Sequence, residues 1–364
     1  MIVRVQEIYS GYQLIMMWWC TCQPPPTVDL TDALNNKNKS EDESLLRCAM
    51  SRWGWCHISV DLTRLTSESP LKSLQPLAMK NMVRDMFDPS FVARNDIDAI
   101  YRGRTAESGA ATSAQAEPKQ SWEVRRCCQQ TSQIHEWTEA LHSIAAAVTR
   151  TLKLPPNLLL RQDACHCRKG EQCSVDLLRV FFYDAVGGEV MGSSPHTDWG
   201  SWTVVWQDDV GGLQTYCHAH ERWVDVAASP LKASRATFVV HVGDVTSLAM
   251  GHASRSTQDH DPIIIWPSPK HRVISPTNSI PRASLVYFAY PPPGISLQDM
   301  EEALVPHIQA ECPAVIPYNE YFVLRNQSSG DAQVRLPEET YRAIRSRPLD
   351  SVFAEKWQQV QRLS

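Results

Sequence analysis

The chain has 364 residues, 43% of them hydrophobic, enough to bury a sizeable core in one large domain or two smaller ones. Its 35 basic and 40 acidic side chains leave a formal charge of −5, with no run of like sign, which argues against nucleic acid as a main partner because phosphate binding needs clustered Lys and Arg. The cysteine count, 11, is odd, and a long chain with no secretory signal fits reduced thiols in a cytoplasmic protein better than a disulfide framework.

Residues 1–25 read as an undefined tail closed by Pro24-Pro25-Pro26. Its apolar stretch, Tyr12 to Cys20, is too short to span a bilayer and lacks a signal-peptide cleavage site, so no membrane role is expected. Residues 26–174 carry mostly helical patterns. The clearest covers Gln129 to Leu152, where Ile134, Trp137, Leu141, Ile144, Val148 and Leu152 recur at steps of three and four and form one apolar stripe. Pro155 and Pro156 forbid its continuation. Gly103 to Gln120, rich in Ala, Ser, Thr and Glu, has no period and reads as a long loop.

From residue 175 to 294 the pattern changes to short β runs between turn residues: Leu177–Tyr183, Thr203–Trp206, Leu213–Tyr216, Trp223–Val226, Thr237–Val242, Arg272–Ser275 and Ser284–Tyr290. Many short strands linked by Gly, Asp and Pro predict a barrel or jelly roll rather than a parallel sheet. After Pro291-Pro292-Pro293, residues 295–364 return to helical patterns at Leu297–Val305, Glu338–Ile344 and Ser351–Val360, expected to pack outside the barrel. Cys165, His166, Cys167 and Cys173 lack the second ligand pair of a structural zinc site and read as a solvent loop. His218, His220, His252 and His260 read as loop residues too.

The chemistry concentrates in the β region. In PHTDWG, beginning at Pro195, His196 and Asp198 stand two apart, so an extended strand presents both on one face. Far downstream, KHRVISP supplies His271 at a strand start. Two histidines and a carboxylate make the facial triad of non-haem Fe(II) oxygenases, which leaves open positions for a chelating co-substrate and for O2. Beyond it, Arg282 and Ser284 share a strand face. A guanidinium and a hydroxyl so placed can grip the distal carboxylate of 2-oxoglutarate.

These motifs resemble the isopenicillin N synthase-like branch of the 2-oxoglutarate/Fe(II) dioxygenases. The resemblance is strongest from Val175 to Pro293 and rests on HTD, GGLQTY…W, GD and HRV…RAS…FAYPPP in that order, with weaker echoes in PTVDL at Pro26 and WGW at Trp53. It implies a mainly β protein with flanking helices, built on a double-stranded β-helix (a cupin-like jelly roll). It implies His196, Asp198 and His271 as iron ligands, Arg282, Ser284 and Tyr183 around 2-oxoglutarate, and Trp199 near the substrate pocket. The activity implied is oxidation of a small organic molecule with Fe(II), 2-oxoglutarate and O2, by hydroxylation, desaturation or ring closure, releasing succinate and CO2. A 2-oxoglutarate-independent iron oxidase and a non-catalytic barrel scaffold are the alternatives. Two departures stand out: Phe181 occupies a position where many relatives carry Asn, and the Asp244–His271 connection is lengthened by GHASRSTQDHDPIII, residues 251–265.

Overall fold

A computed structural model of the chain describes residues 24–352 apart from 38, 88–99, 102–116, 118, 126–132, 162–175, 187–189, 218–219, 229, 256–265, 277–279 and 308–342. Its strands, in chain order, are β1 (Thr27–Asp29), β2 (Trp55–Asp61), β3 (Ile100–Tyr101), β4 (Lys119–Arg125), β5 (Leu177–Tyr183), β6 (Met191–His196), β7 (Trp202–Gln207), β8 (Leu213–Cys217), β9 (Arg222–Asp225), β10 (Arg235–Val242), β11 (His271–Ile274) and β12 (Arg282–Ala289). They form an eight-stranded sheet ordered β1-β2-β10-β7-β12-β5-β4-β3 and a four-stranded sheet ordered β6-β11-β8-β9. Every pairing is antiparallel except that of β1 with β2. The β core is the double-stranded β-helix that the motifs imply.

The period of two sorts the larger sheet into two faces. On β10, Phe238, Val240 and Val242 join the helix-side core, whereas Val239 packs in the lumen with Phe181, Tyr183, Val205, Leu213 and Val273. The helix side is covered by α4 (Gln133–Thr151), whose stripe Ile134, Trp137, Leu141, Ile144 and Val148 is buried as predicted. Before it come α1 (Thr31–Leu34), α2 (Ser40–Arg52) and α3 (Pro76–Met86), and after it the short α5 (Pro156–Leu159). Helix α6 (Asp244–Arg255) takes up the start of the long connection, and residues 256–265 lie outside the described ones. Helix α7 (Leu297–Leu304) begins with a capping box, in which Ser296 Oγ accepts from the Asp299 amide and Asp299 accepts from the Ser296 amide. Residues 1–23 and the two later C-terminal helices, largely, also lie outside the described residues.

The N-terminal region adds four strands that its helical patterns do not announce. Strand β2, WCHISVD, is buried almost throughout and therefore lacks alternation. Strand β4 begins inside the segment read as a loop: its alternate residues Lys119, Ser121 and Glu123 are polar yet buried, and Glu117 just before it is buried as well. With charge on an inward face, the usual alternation of apolar and polar residues cannot mark the strand. The gain is positional, since β4 pairs with β5 and sets Lys119 opposite Tyr183.

Candidate metal centre

His196 ends β6 and His271 starts β11, and the two are direct partners across that strand pair. Their ring centroids are 4.3 Å apart. Asp198 follows in the turn after β6, with Oδ1 3.7 Å from His196 Nε2 and Oδ2 3.7 Å from His271 Nε2. One ligand atom from each of the three lies within 4.8 Å of the others. The lengthened connection therefore leaves His271 in register.

Backbone carbonyls fix which nitrogen each ring offers. His196 Nδ1 lies 2.7 Å from the Ser194 carbonyl and His271 Nδ1 3.0 Å from that of Pro269. A carbonyl only accepts, so Nδ1 carries the hydrogen in both rings and Nε2 keeps its lone pair toward Asp198. The Asp198 backbone is pinned as well: its carbonyl accepts from the Asp244 amide at 2.7 Å, and Thr197 Oγ1 donates to Asp244 Oδ2 at 3.1 Å. Gly243 makes this possible by passing so close to the Gly200 carbonyl that a Cβ would collide with it.

Charge states suit metal binding. Burial, helped by the neighbouring His271, lowers His196 to about 4. Burial would raise Asp198, but the imidazoles of His271, His241 and His196 outweigh it and hold the carboxyl well below the usual range. At neutral pH the cluster thus offers an anionic carboxylate and a neutral His196 imidazole, the protonation states ligation requires. A buried anionic carboxylate between two imidazole nitrogens that each keep a lone pair, with Oδ1 3.7 Å from His196 Nε2 and Oδ2 3.7 Å from His271 Nε2, is what a cation satisfies. Two imidazoles and one carboxylate fit Fe(II).

Arg282 opens β12 and is buried, opposite Tyr183 on β5. Its Nη1 donates to Ser284 Oγ at 3.0 Å and its Nη2 to Gln207 Oε1 at 3.3 Å, while Nε has no partner. The guanidinium lies 4.8 Å over the Tyr183 ring. The five lumen-side residues Arg282, Ser284, Gln207, Tyr183 and Phe181 are joined by strand register: Ser284 faces Phe181 on one side and Gln207 on the other. Phe181 packs beside Tyr183, and Lys119 Nζ lies 5.4 Å from its ring centroid. Trp199 is half-buried and packs against the helix-side core.

Three features escape a reading of the sequence. Gln207 completes the Arg282 cradle. Glu117 takes Ser194 by its amide at 2.6 Å and its hydroxyl at 2.5 Å, and pairs with Lys119 Nζ at 2.7 Å. His241, on β10, is fully enclosed, with Nδ1 3.7 Å from Asp198 Oδ2. Its signal was available: in the run Thr237–Val242 it alternates with Val239 and stands two residues before the GD motif. His220 lies by Cys217, with Nδ1 3.6 Å from its sulfur. Cys165, His166, Cys167, Cys173, His218 and His260, and the side chain of His252, lie outside the described residues.

Parts of the chain resemble known proteins. Over 63 residues it is 40% identical to a 1-aminocyclopropane-1-carboxylate oxidase of Dictyostelium mucoroides, which takes in 17% of this chain and 16% of that protein. Over 141 residues it is 31% identical to gibberellin 3-beta-dioxygenase 2-2 of Triticum aestivum, 38% of this chain and 32% of that protein. The aligned stretches thus span about a sixth to a third of these relatives. A full-length Neurospora crassa protein crystallised with alpha-KG shares the fold at a TM-score of 0.52 and 19% identity, covering 82% of this chain and 95% of that one. Residues 174–291 match the family model of the 2OG-Fe(II) oxygenase superfamily, and His196, Asp198, His271, Arg282 and Ser284 all fall within them. Over that stretch, about a third of the chain, the protein carries a 2OG-Fe(II) oxygenase domain.

Proposed function

We propose that the protein is a dioxygenase of the isopenicillin N synthase-like branch that uses Fe(II), 2-oxoglutarate and O2 to hydroxylate, desaturate or cyclise a small organic substrate, with release of succinate and CO2. The observation that carries the reading is the convergence of His196, Asp198 and His271 within 4.8 Å, in the same lumen as a buried, partly unsatisfied Arg282. Bound iron would supply activation of O2 coupled to oxidative decarboxylation of the keto acid.

The chain's own share is placement. His196 and His271 turn Nε2 inward, Asp198 brings the negative charge, and Arg282 with Ser284 receives the distal carboxylate of 2-oxoglutarate. Tyr183, under the guanidinium, walls the same space, and the lumen residues Phe181, Val205 and Val239 keep water from it. The same reading takes the protein as cytoplasmic. No helix among the described residues is long and apolar enough to cross a membrane.

Anaerobic addition of Fe(II) and then 2-oxoglutarate to the purified protein tests the reading. The expected result is a weak visible charge-transfer band, followed on aeration with a metabolite extract by succinate in step with CO2. A folded protein giving neither band nor succinate would overturn the reading, leaving a 2-oxoglutarate-independent iron oxidase if it still takes up Fe(II) and a barrel scaffold if it does not.

A further inference from the structure

A third imidazole stands at the centre with no task in the scheme above. His241 is wholly enclosed, and its ring centroid lies 4.7 Å from that of His271. Among the described residues it is the one histidine whose two ring nitrogens are both buried and without a hydrogen-bond partner. A buried imidazole left so is costly, and a strand facing an apolar lumen would be better served by Val or Leu. Other orphans gather at the same place. Asp198 Oδ2 is 3.7 Å from His241 Nδ1, and Thr203, the register partner of His241 on β7, has a buried, unsatisfied hydroxyl.

We infer that His241 is a positioning residue for Asp198, its Nδ1–H serving the carboxylate oxygen that is not committed to iron. This rests on the metal reading. Two imidazoles approach Oδ2 at 3.7 Å, from His271 Nε2 and from His241 Nδ1. The first belongs to the ligand set, because its Nδ1 hydrogen is already given to Pro269. Among the described residues the second belongs to no such set of ligand atoms within 4.8 Å of one another. His241 therefore stands beside the carboxylate rather than in the ring of ligands, where a donor holds the aspartate to one binding oxygen and one orientation. Because β10 belongs to the larger sheet and β6 and β11 to the smaller, the contact also ties the metal ligands to the opposite wall of the barrel.

The test titrates Co(II) alone into metal-free wild type, His241→Asn, His241→Gln and His241→Leu, by calorimetry and by the visible spectrum of bound Co(II). The Asn amide reaches the place of imidazole Nδ1, whereas the Gln amide reaches that of Nε2. His241→Leu and His241→Gln should weaken Co(II) binding about 10–100-fold, and His241→Asn should recover most of the loss. The melting temperature of metal-free His241→Leu should not fall, which separates positioning from a packing role. Wild-type affinity in both the Leu and Gln variants would overturn the inference. So would a loss of one coordinated imidazole nitrogen in His241→Leu, seen by X-ray absorption, since that would make His241 a ligand. A wild-type protein that takes up no Co(II) would remove the metal centre itself, and this inference with it.

Discussion

His196 and His271 face each other across β6 and β11, and each hands its Nδ1 hydrogen to the carbonyl two residues before it. The repeated device means that ring orientation is set by each histidine's own strand, before any metal arrives. His196→Ala, Asp198→Ala and His271→Ala should each abolish tight Fe(II) or Co(II) binding in calorimetry while leaving the far-ultraviolet circular dichroism unchanged. A variant of the three that binds the metal as tightly as wild type would not be a ligand.

Arg282 sits apart from that trio and should separate cleanly from it. Arg282→Gln removes the charge but not the bulk. It should leave Co(II) affinity within about twofold and weaken 2-oxoglutarate binding by roughly 1.5–3 kcal/mol, the worth of hydrogen bonds to a charged group. Equal loss of metal and co-substrate would reassign the residue to holding the barrel together.

The Glu117–Lys119 pair is buried on both sides, with side-chain exposures of 4% and 1%. Removing Glu117 takes a carboxylate from the buried Lys119, so Glu117→Leu should lower stability by up to roughly 3–5 kcal/mol, and the double variant Glu117→Leu/Lys119→Met by clearly less. Denaturant unfolding reads both. Because Glu117 also holds Ser194, whose carbonyl orients His196, the single variant should bind Co(II) more weakly than wild type.

Acid should unfold the metal-free protein early. Burial lowers His241 to about 4 from an ordinary 6.5 and lowers His57 as well. Below pH 6.5 the unfolded chain takes up protons that His241 refuses until about pH 4 and that His57 also resists. The unfolded state then binds more protons, so stability falls as pH drops through that window. Melting temperatures from pH 7 to 4 should show the decline, and His241→Leu should flatten it. An unchanged slope in that variant would place the titration elsewhere.

Much of this could be read from the chain itself. Strand β5 falls on the predicted Leu177–Tyr183, and the triad is legible because a metal site demands particular atoms at particular spacings whatever surrounds them. What stayed hidden shares one cause: residues whose environment inverts the usual pattern. Lys119 and Glu123 are charged but face inward, and WCHISVD is buried on both faces. His241, a polar side chain in an apolar strand, carries meaning only once the strand from the other sheet brings Asp198 to it.

The larger sheet is stitched from both halves of the chain: β10 is flanked on one side by β2, and β5 by β4. Excising the family-matching stretch for separate expression would strip those two flanks, baring the backbone amides and carbonyls of β10 and β5 along their lengths. Naked borders of that kind recruit other strands. The excised piece should come out of cells as aggregate, and a productive truncation must keep everything from Thr27 onward.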